Sequence, residues 1–225
     1  MPSVAATVHI VDDDPHICES LSLMVRDTGL AVRTYPSAEA FLDSCPEFSH
    51  EPQCLVLDVR MPGLDGLSLQ QILHARGKHI PTIMISGSAD VRMAVQAMIA
   101  GAVVFLEKPF GQDALLSRIR EALERDTRRQ QETARSTEVA GRLETLSIRQ
   151  RQVLDRLVAG KHAKQIANEL GIGEKTVAKH RAMVMEKMQV DSVVDLVRLM
   201  AGASHGYNGT WLLAAPISNV AVAER

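Results

Sequence analysis

The chain has 225 residues, 46% hydrophobic and 23% charged, with a formal net charge of −2. That length fits one large domain or two small ones, and that apolar fraction excludes disorder along the whole chain. No run of about 18 apolar residues occurs, and the start lacks a basic segment followed by an apolar one, so neither a membrane span nor a secretory leader is expected.

Three cysteines, Cys18, Cys45 and Cys54, stand at irregular spacing. An odd, scattered set predicts reduced thiols in a reducing compartment, not a disulfide framework or a zinc site. Aromatic residues are only 3%, which argues against base stacking on single strands. The charge is uneven: residues 1–127 carry −7, residues 128–140 carry +1 and residues 141–204 carry +4. An acidic first part and a basic second part suggest two modules with different partners, the basic one facing phosphates.

Val8–Val11 is a short apolar run ending in Asp12, Asp13 and Asp14. Pro15 follows, and Ile17, Leu21, Met24 and Val25 recur at helical spacing up to Gly29. Ala31–Tyr35 reads as a second strand, and Ser37 can cap a short helix through Ser44. Cys54–Leu57 is a third strand ending in Asp58. A helix over Gly66–Ala75 follows, then a strand over Ile80–Ile85 and a helix over Val91–Ala100. Val103–Leu106 is a fifth strand before Lys108-Pro109, and a last helix begins near Gln112. Val/Ile/Leu-rich strands alternating with helices predict a five-stranded parallel sheet, doubly wound and flavodoxin-like. Ligands of such folds bind beyond the C-terminal strand ends.

Those ends deliver Asp12 and Asp13, Asp58, Ser86 and Lys108. Converging carboxylates need a cation, and hard oxygen ligands suit Mg²⁺. A carboxylate placed there can attack phosphorus, while the lysine and the hydroxyl hold phosphoryl oxygens. Taken singly, Asp12–Asp14 could be a helix-capping cluster, Ser86 a loop residue and Lys108 a solvated charge. Four such groups at four strand ends of one sheet favour the shared site.

Leu115, Leu116, Ile119 and Leu123 give the helix after Gln112 an apolar face. From Arg125 the sequence turns polar, and residues 128–142 read as a solvated linker, helical or flexible, without a sustained heptad. Four helices follow. Ser147 and Gln150 form a capping-box pattern opening the first, whose apolar face is Val153, Leu154, Leu157 and Val158. Ala163–Leu170 and Glu174–Met188 flank a Gly-Ile-Gly turn, with Ala167 at the crossing and Val177 as a core plug. The fourth starts at Asp191 or Ser192 and runs to about Met200. Two short helices joined this way are a helix-turn-helix candidate, and basic residues early in its second helix suit a major groove. The alternative is a plain bundle with a solvated basic face.

The segments His9–Asp14, Leu57–Gly66, Ile85–Gly87 and Phe105–Phe110 together resemble the receiver domain of two-component response regulators of the NarL/FixJ family. Leu146–Leu154, Ala167–Ile172 and Lys175–Arg181 are similar to the LuxR-type DNA-binding domain of that family. The resemblance implies a receiver over 1–127, a linker over 128–142, an all-α four-helix DNA-binding domain over 143–204 and a tail over 205–225. It implies Asp58 as phosphoacceptor. Asp13, Asp58 and the Arg60 backbone carbonyl would hold Mg²⁺, with Asp12 acting through water. Ser86 and Phe105 would be the switch pair, Lys108 the phosphoryl contact, and Lys108–Pro109 a cis bond. Val95 and Ile99 would lie on the dimer face. Ala178, Lys179 and Ala182 would face bases, with Lys175, Thr176, His180 and Arg181 at the backbone or flanks. Gln150 replaces the family's usual Glu, and Ala178 and Lys179 are atypical, so base preference cannot be copied from relatives.

The resemblance further implies a cytoplasmic transcription activator rather than an enzyme. Its partners would be a sensor histidine kinase, double-stranded DNA, RNA polymerase and, once phosphorylated, a second copy. A haloacid-dehalogenase-like phosphatase would need its nucleophile on the first strand and an acidic pair after the lysine, where Pro109-Phe110-Gly111 stands. A receiver whose output helices bind protein is the other alternative, and Lys179, His180 and Arg181 argue against it. The tail holds the only tryptophan, Trp211, and reads as mobile or docked.

Overall fold

The computed structural model describes residues 6–44, 51–87, 95, 98, 99 and 101–203. Most of the helix expected over 91–100, the tail and Cys45 lie outside the described residues. The chain divides into two compact units, Met1–Gln130 and Gln131–Arg225.

In the first unit, five parallel strands take the order β2-β1-β3-β4-β5. They are β1 (Thr7–Val11), β2 (Ala31–Tyr35), β3 (Gln53–Asp58), β4 (Thr82–Ser86) and β5 (Val104–Glu107). Helices α1 (Pro15–Arg26), α2 (Ala38–Asp43) and α3 (Gly66–Ala75) cross between them. The strands match the expected runs, with β4 beginning two residues later than expected. Pro81 has no N–H for a ladder, and its carbonyl instead accepts from Leu55.

Strand alternation divides the core between the two faces. Val8, Ile10, Cys54, Val56, Ile83 and Ile85 pack with Leu21 and Val25 of α1 and with Leu115 and Ile119. Leu55, Leu57 and Met84 pack on the other face against Phe41, Leu69 and Leu73. Burying a side chain of that size contributes roughly 1.5–3 kcal/mol. The central strand β3 is buried along its whole length, which explains its near-continuous apolar sequence.

Helix α4 (Gln112–Glu144) runs for 33 residues. The segment 128–142 is therefore helical throughout, and it is not wholly solvated: Ser136 and Val139 are buried. In the first unit, α4 is fastened by Asp126, which is 2% exposed. Its Oδ2 accepts from the Gln53 N–H at 2.9 Å and from Gln130 Nε2 at 2.7 Å, and its Oδ1 accepts from Arg129.

In the second unit, α5 (Ile148–Val158), α6 (Ala163–Leu170), α7 (Glu174–Met188) and α8 (Val193–Ala203) pack with the end of α4. Ser147 and Gln150 close the expected capping box. Gly171 ends α6 in the left-handed region at φ 63°, a conformation glycine adopts without strain. Ser192 Oγ accepts from the Asp195 N–H, which settles the start of α8. Val139 and Leu143 share a core with Val153, Ile166, Val177, Val184 and Leu196, so this core takes in residues before 143.

Candidate functional site

Parallel strands placed side by side bring their C-terminal ends to one edge of the sheet, and order 2-1-3-4-5 opens a crevice between β1 and β3. Register puts Val11 opposite Leu57, Asp58 opposite Ile85 and Ser86 opposite Glu107. Asp12, Asp58, Ser86 and Lys108 therefore arrive together. Asp12, Asp13, Asp14, Asp58, Arg60, Gly87 and Lys108 line one open cavity of about 410 Å³.

The three consecutive aspartates take three different places. Asp12 is 2% exposed; its Oδ1 accepts from the Asp14 N–H at 3.0 Å and its Oδ2 from Lys108 Nζ at 2.8 Å. Asp13 is exposed at the cavity. Asp14 caps α1, accepting from the His16 N–H at 2.8 Å, so the capping reading holds for Asp14, while Asp12 and Asp13 line the cavity.

Asp58 is 5% exposed at the end of β3. Lys108 Nζ donates to its Oδ1 at 2.7 Å, and the Arg60 N–H donates to its Oδ2 at 2.7 Å. Burial raises the Asp58 carboxyl above its ordinary range, and the Lys108 hydrogen bond opposes that rise. Burial alone would lower Lys108, but its hydrogen bonds to Asp12 and Asp58 outweigh this and raise it. The lysine is thus a fixed cation spanning both carboxylates. At the end of β5 the Lys108 N–H donates to the Ser86 carbonyl at 2.7 Å, which ties the lysine to the end of β4; the Lys108–Pro109 bond is cis.

Ser86 is fully buried at the end of β4, and Phe105 is half-buried on β5 beside the core of the α2–α3 face. Val95 and Ile99 are exposed, at 51% and 81%, and Met98 between them is exposed too. Arg60 donates its N–H to Asp58, and of the two neighbouring aspartates Asp12 is buried and Asp13 exposed.

Among the described residues no three acidic, His or Cys side chains already converge tightly enough to hold a metal. The donor set still fits Mg²⁺. Asp12, Asp13 and Asp58 offer hard oxygens to one solvent-filled cavity, and Mg²⁺ tolerates water in the remaining positions.

Sequence reading missed Gly66. A Cβ there would lie 2.2 Å from the Asp58 carbonyl oxygen, so the first turn of α3 rests on the backbone of Asp58. Only the Leu57–Gly66 motif hinted at it. Among the described residues, Cys18 Sγ donates to the Asp12 carbonyl, and burial pushes both the Cys18 and the Cys54 thiol up, away from the reactive thiolate.

In the second unit, α7 buries Val177, Val184 and Met188 along one face. Lys175, Thr176, Ala178, Lys179, Arg181 and Ala182 are exposed, while His180 is half-buried. Lys187 is committed elsewhere: it donates to the Thr145 carbonyl at 2.7 Å and to Gln150. Arg142 donates to the Met188 carbonyl at 2.9 Å. Arg142 satisfies the last carbonyl of α7 and Lys187 the carbonyl just past α4, and cations so placed suit the negative ends of the helix dipoles.

Comparisons with known proteins match both units. Residues 8–120 match the response regulator receiver domain, and residues 144–200 match the bacterial regulatory proteins of the luxR family. The chain is 46% identical to the transcriptional regulatory protein FixJ of Azorhizobium caulinodans over 206 residues, 90% of this chain and 96% of that one. It is 44% identical to the response regulator protein TmoT of Ectopseudomonas mendocina, over 86% of this chain and 87% of that one. The solved structure of the response regulator StyR superposes with a TM-score of 0.78 at 40% identity, covering 88% of this chain and 98% of that one. The chain belongs to the two-component response regulators of the NarL/FixJ family, with a receiver domain followed by a LuxR-type helix-turn-helix DNA-binding domain.

Proposed function

We propose that this chain is a phosphorylation-controlled transcription activator that takes a phosphoryl group on Asp58 from a sensor histidine kinase. The observation that carries the proposal is the Asp58 carboxylate, fixed by Lys108 Nζ at 2.7 Å on the wall of an open acidic cavity. An Asp58 carboxylate oxygen attacks phosphorus through a remaining lone pair as the bond to the donor's imidazole nitrogen breaks. Lys108 has three N–H donors, so it can hold a phosphoryl oxygen while remaining near Asp12. Mg²⁺ held by Asp13, Asp58 and the Arg60 backbone carbonyl, with Asp12 acting through water, would neutralise the charge that gathers there. The chemistry is confined to this chain's own carboxylate, so the protein is a switch rather than an enzyme.

The modification adds charge and three acceptor oxygens beside buried Ser86. A hydroxyl drawn toward them, with Phe105 turning inward behind it, would bias β4, β5 and the segment between them between two arrangements. Exposed Val95 and Ile99 support a dimer face on that segment. A symmetric dimer would set two recognition helices on paired DNA half-sites, with Lys175, Lys179 and Arg181 on phosphates and bases, and recruit RNA polymerase in the cytoplasm.

The test is intact mass after acetyl phosphate and Mg²⁺, for wild type and Asp58→Asn, followed by size exclusion and DNA titration at two salt concentrations. Expected are one phosphoryl adduct in wild type only, a shift to dimer, and binding that weakens as salt rises. An adduct that survives in Asp58→Asn, or DNA binding indifferent to salt, would overturn the reading.

A further inference from the structure

The loop over residues 59–65 joins β3 to α3 and carries Arg60, whose backbone carbonyl the receiver reading assigns to Mg²⁺. Its near end is tied to the sheet. The Val59 N–H donates to the Ile85 carbonyl at 3.0 Å, the Arg60 N–H donates to Asp58 Oδ2 at 2.7 Å, and Met61 is buried. Its far end is tied as well. Asp65 Oδ1 accepts from the Ser68 N–H at 2.7 Å, and the Gly66 N–H donates to the Val59 carbonyl at 3.1 Å. Between these ties stand Pro62 and Gly63, both exposed, and Leu64. Pro62 has no N–H to offer a partner.

This middle stretch is held from another element. Glu39, in the first turn of α2, accepts from the Leu64 N–H through Oε1 at 2.9 Å, across 25 residues of sequence. Hydrogen bonds from its own N–H, from the Leu64 N–H and from Ser37 hold its carboxyl below the ordinary glutamate range, so it is a charged acceptor at neutral pH. Gly63 fits the same contact. Its φ of 77° is left-handed, and a Cβ there would lie 2.8 Å from Glu39 Oε1. Glycine at 63 therefore serves both the backbone and the approach of the carboxylate.

The contact bears on the metal through geometry. Mg²⁺ demands near-ideal octahedral coordination, and a backbone carbonyl moves only with its loop. Apparent affinity scales with the fraction of molecules whose ligands already stand in place.

We propose that Glu39 is a positioning residue for the receiver's metal. By holding the Leu64 N–H, it keeps the β3–α3 loop in the arrangement that presents the Arg60 carbonyl to Mg²⁺. The inference rests on the phosphoacceptor reading of the cavity. Glu39 is not among the residues that line that cavity, so it acts only through the loop.

The test is isothermal titration of Mg²⁺ into the full, unphosphorylated chain, for wild type, Glu39→Ala and Glu39→Gln, with amide exchange read at Leu64. If the released loop is in place about one time in five, Glu39→Ala binds Mg²⁺ about fivefold more weakly. Glu39→Gln keeps a side-chain carbonyl for the Leu64 N–H and should restore most of the affinity. Acetyl phosphate uptake by Glu39→Ala should need more Mg²⁺ for its half-maximal rate, yet come within about twofold of wild type at saturation. Faster Leu64 exchange in Glu39→Ala with unchanged Mg²⁺ affinity makes the contact merely structural and overturns the proposal. Glu39→Gln as weak as Glu39→Ala assigns the effect to charge at a distance and overturns it too. A loss confined to the rate at saturating Mg²⁺ does the same. Wild type that neither binds Mg²⁺ nor takes up phosphoryl fails the phosphoacceptor reading, and this inference falls with it; wild type that does both, matched by Glu39→Ala, sinks this inference alone.

Discussion

Gly66→Ala tests the support beneath the phosphoacceptor. A Cβ at residue 66 would meet the Asp58 carbonyl oxygen at 2.2 Å and Leu57 Cγ at 3.1 Å. Ordinary contact begins near 3.4 Å, so the first distance falls about 1.2 Å short. The obstacle is backbone in the middle strand of the sheet, which cannot swing aside as a side chain would. The Gly66 N–H also donates to the Val59 carbonyl at 3.1 Å, tying the two segments together. Overpacking costs about 1–3 kcal/mol when side chains can yield, so about 3 kcal/mol is expected where they cannot. The better helix propensity of alanine returns at most about 1 kcal/mol. A net loss of about 2–3 kcal/mol would lower the melting temperature of a unit this size by roughly 10 °C. Urea unfolding followed by circular dichroism measures the loss, and exchange of the Leu55 and Leu57 amides localises it to β3. Acetyl phosphate uptake should fall as well, since Asp58 must shift with its carbonyl. Gly141→Ala is the comparison: nothing lies within 4 Å of its Cβ, it sits inside α4, and it should be neutral or stabilising. Equal melting temperatures for wild type and Gly66→Ala would refute the reasoning.

His9 is 1% exposed on β1, within 3.0 Å of Tyr35 Oη, and burial lowers its pKa from 6.5 to about 4. The native state favours the neutral ring, so its contribution is complete above pH 6.5 and is lost as pH falls toward 4. The difference corresponds to roughly 3 kcal/mol. His9→Gln should flatten the stability profile between pH 7 and 4, and an unchanged slope would refute this. Lys108→Ala removes the cation between Asp12 and Asp58. The Asp58 carboxyl should then titrate higher by carbon-detected NMR, and acetyl phosphate uptake should slow by roughly tenfold or more, the worth of one charged hydrogen bond; an unaltered rate counts against the role given to Lys108. Asp126→Ala takes away the acceptor used by the Gln53 N–H and the partner of Arg129 and Gln130. A cost of about 1–3 kcal/mol is expected, with faster amide exchange around residues 124–130 of α4. Exchange equal to wild type would show that the clamp does not hold the helix.

Local signals carried the element list. Apolar runs of four to six residues ending in Asp, Ser or Lys marked β1, β3, β4 and β5, because a parallel strand buried on both faces must be apolar until it emerges. Ser37 and Ser147 marked helix starts through short-range capping, and Gly171 marked a helix end. The family motifs fixed which strand ends carry the chemistry. The linker was harder, because a polar stretch without a heptad is compatible with either coil or helix. Its helicity depends on burial of Val139 and Leu143 in the core of the second unit, which no local window contains.

By itself, the sequence determined two modules, their fold classes, the identities of Asp12, Asp13, Asp58, Ser86 and Lys108 as a group, and the basic face of the recognition helix. Tertiary structure alone decided how that group divides its work. It buried Asp12 under Lys108, left Asp13 open and gave Asp14 to the helix cap. It set Gly66 against the Asp58 backbone and spent Lys187 on a helix end instead of on a ligand. The physical reason is separation along the chain. Periodicity and capping act over a few residues, whereas the contact of Lys108 with Asp12 joins groups 96 residues apart and exists only once five strands have fixed their order and register.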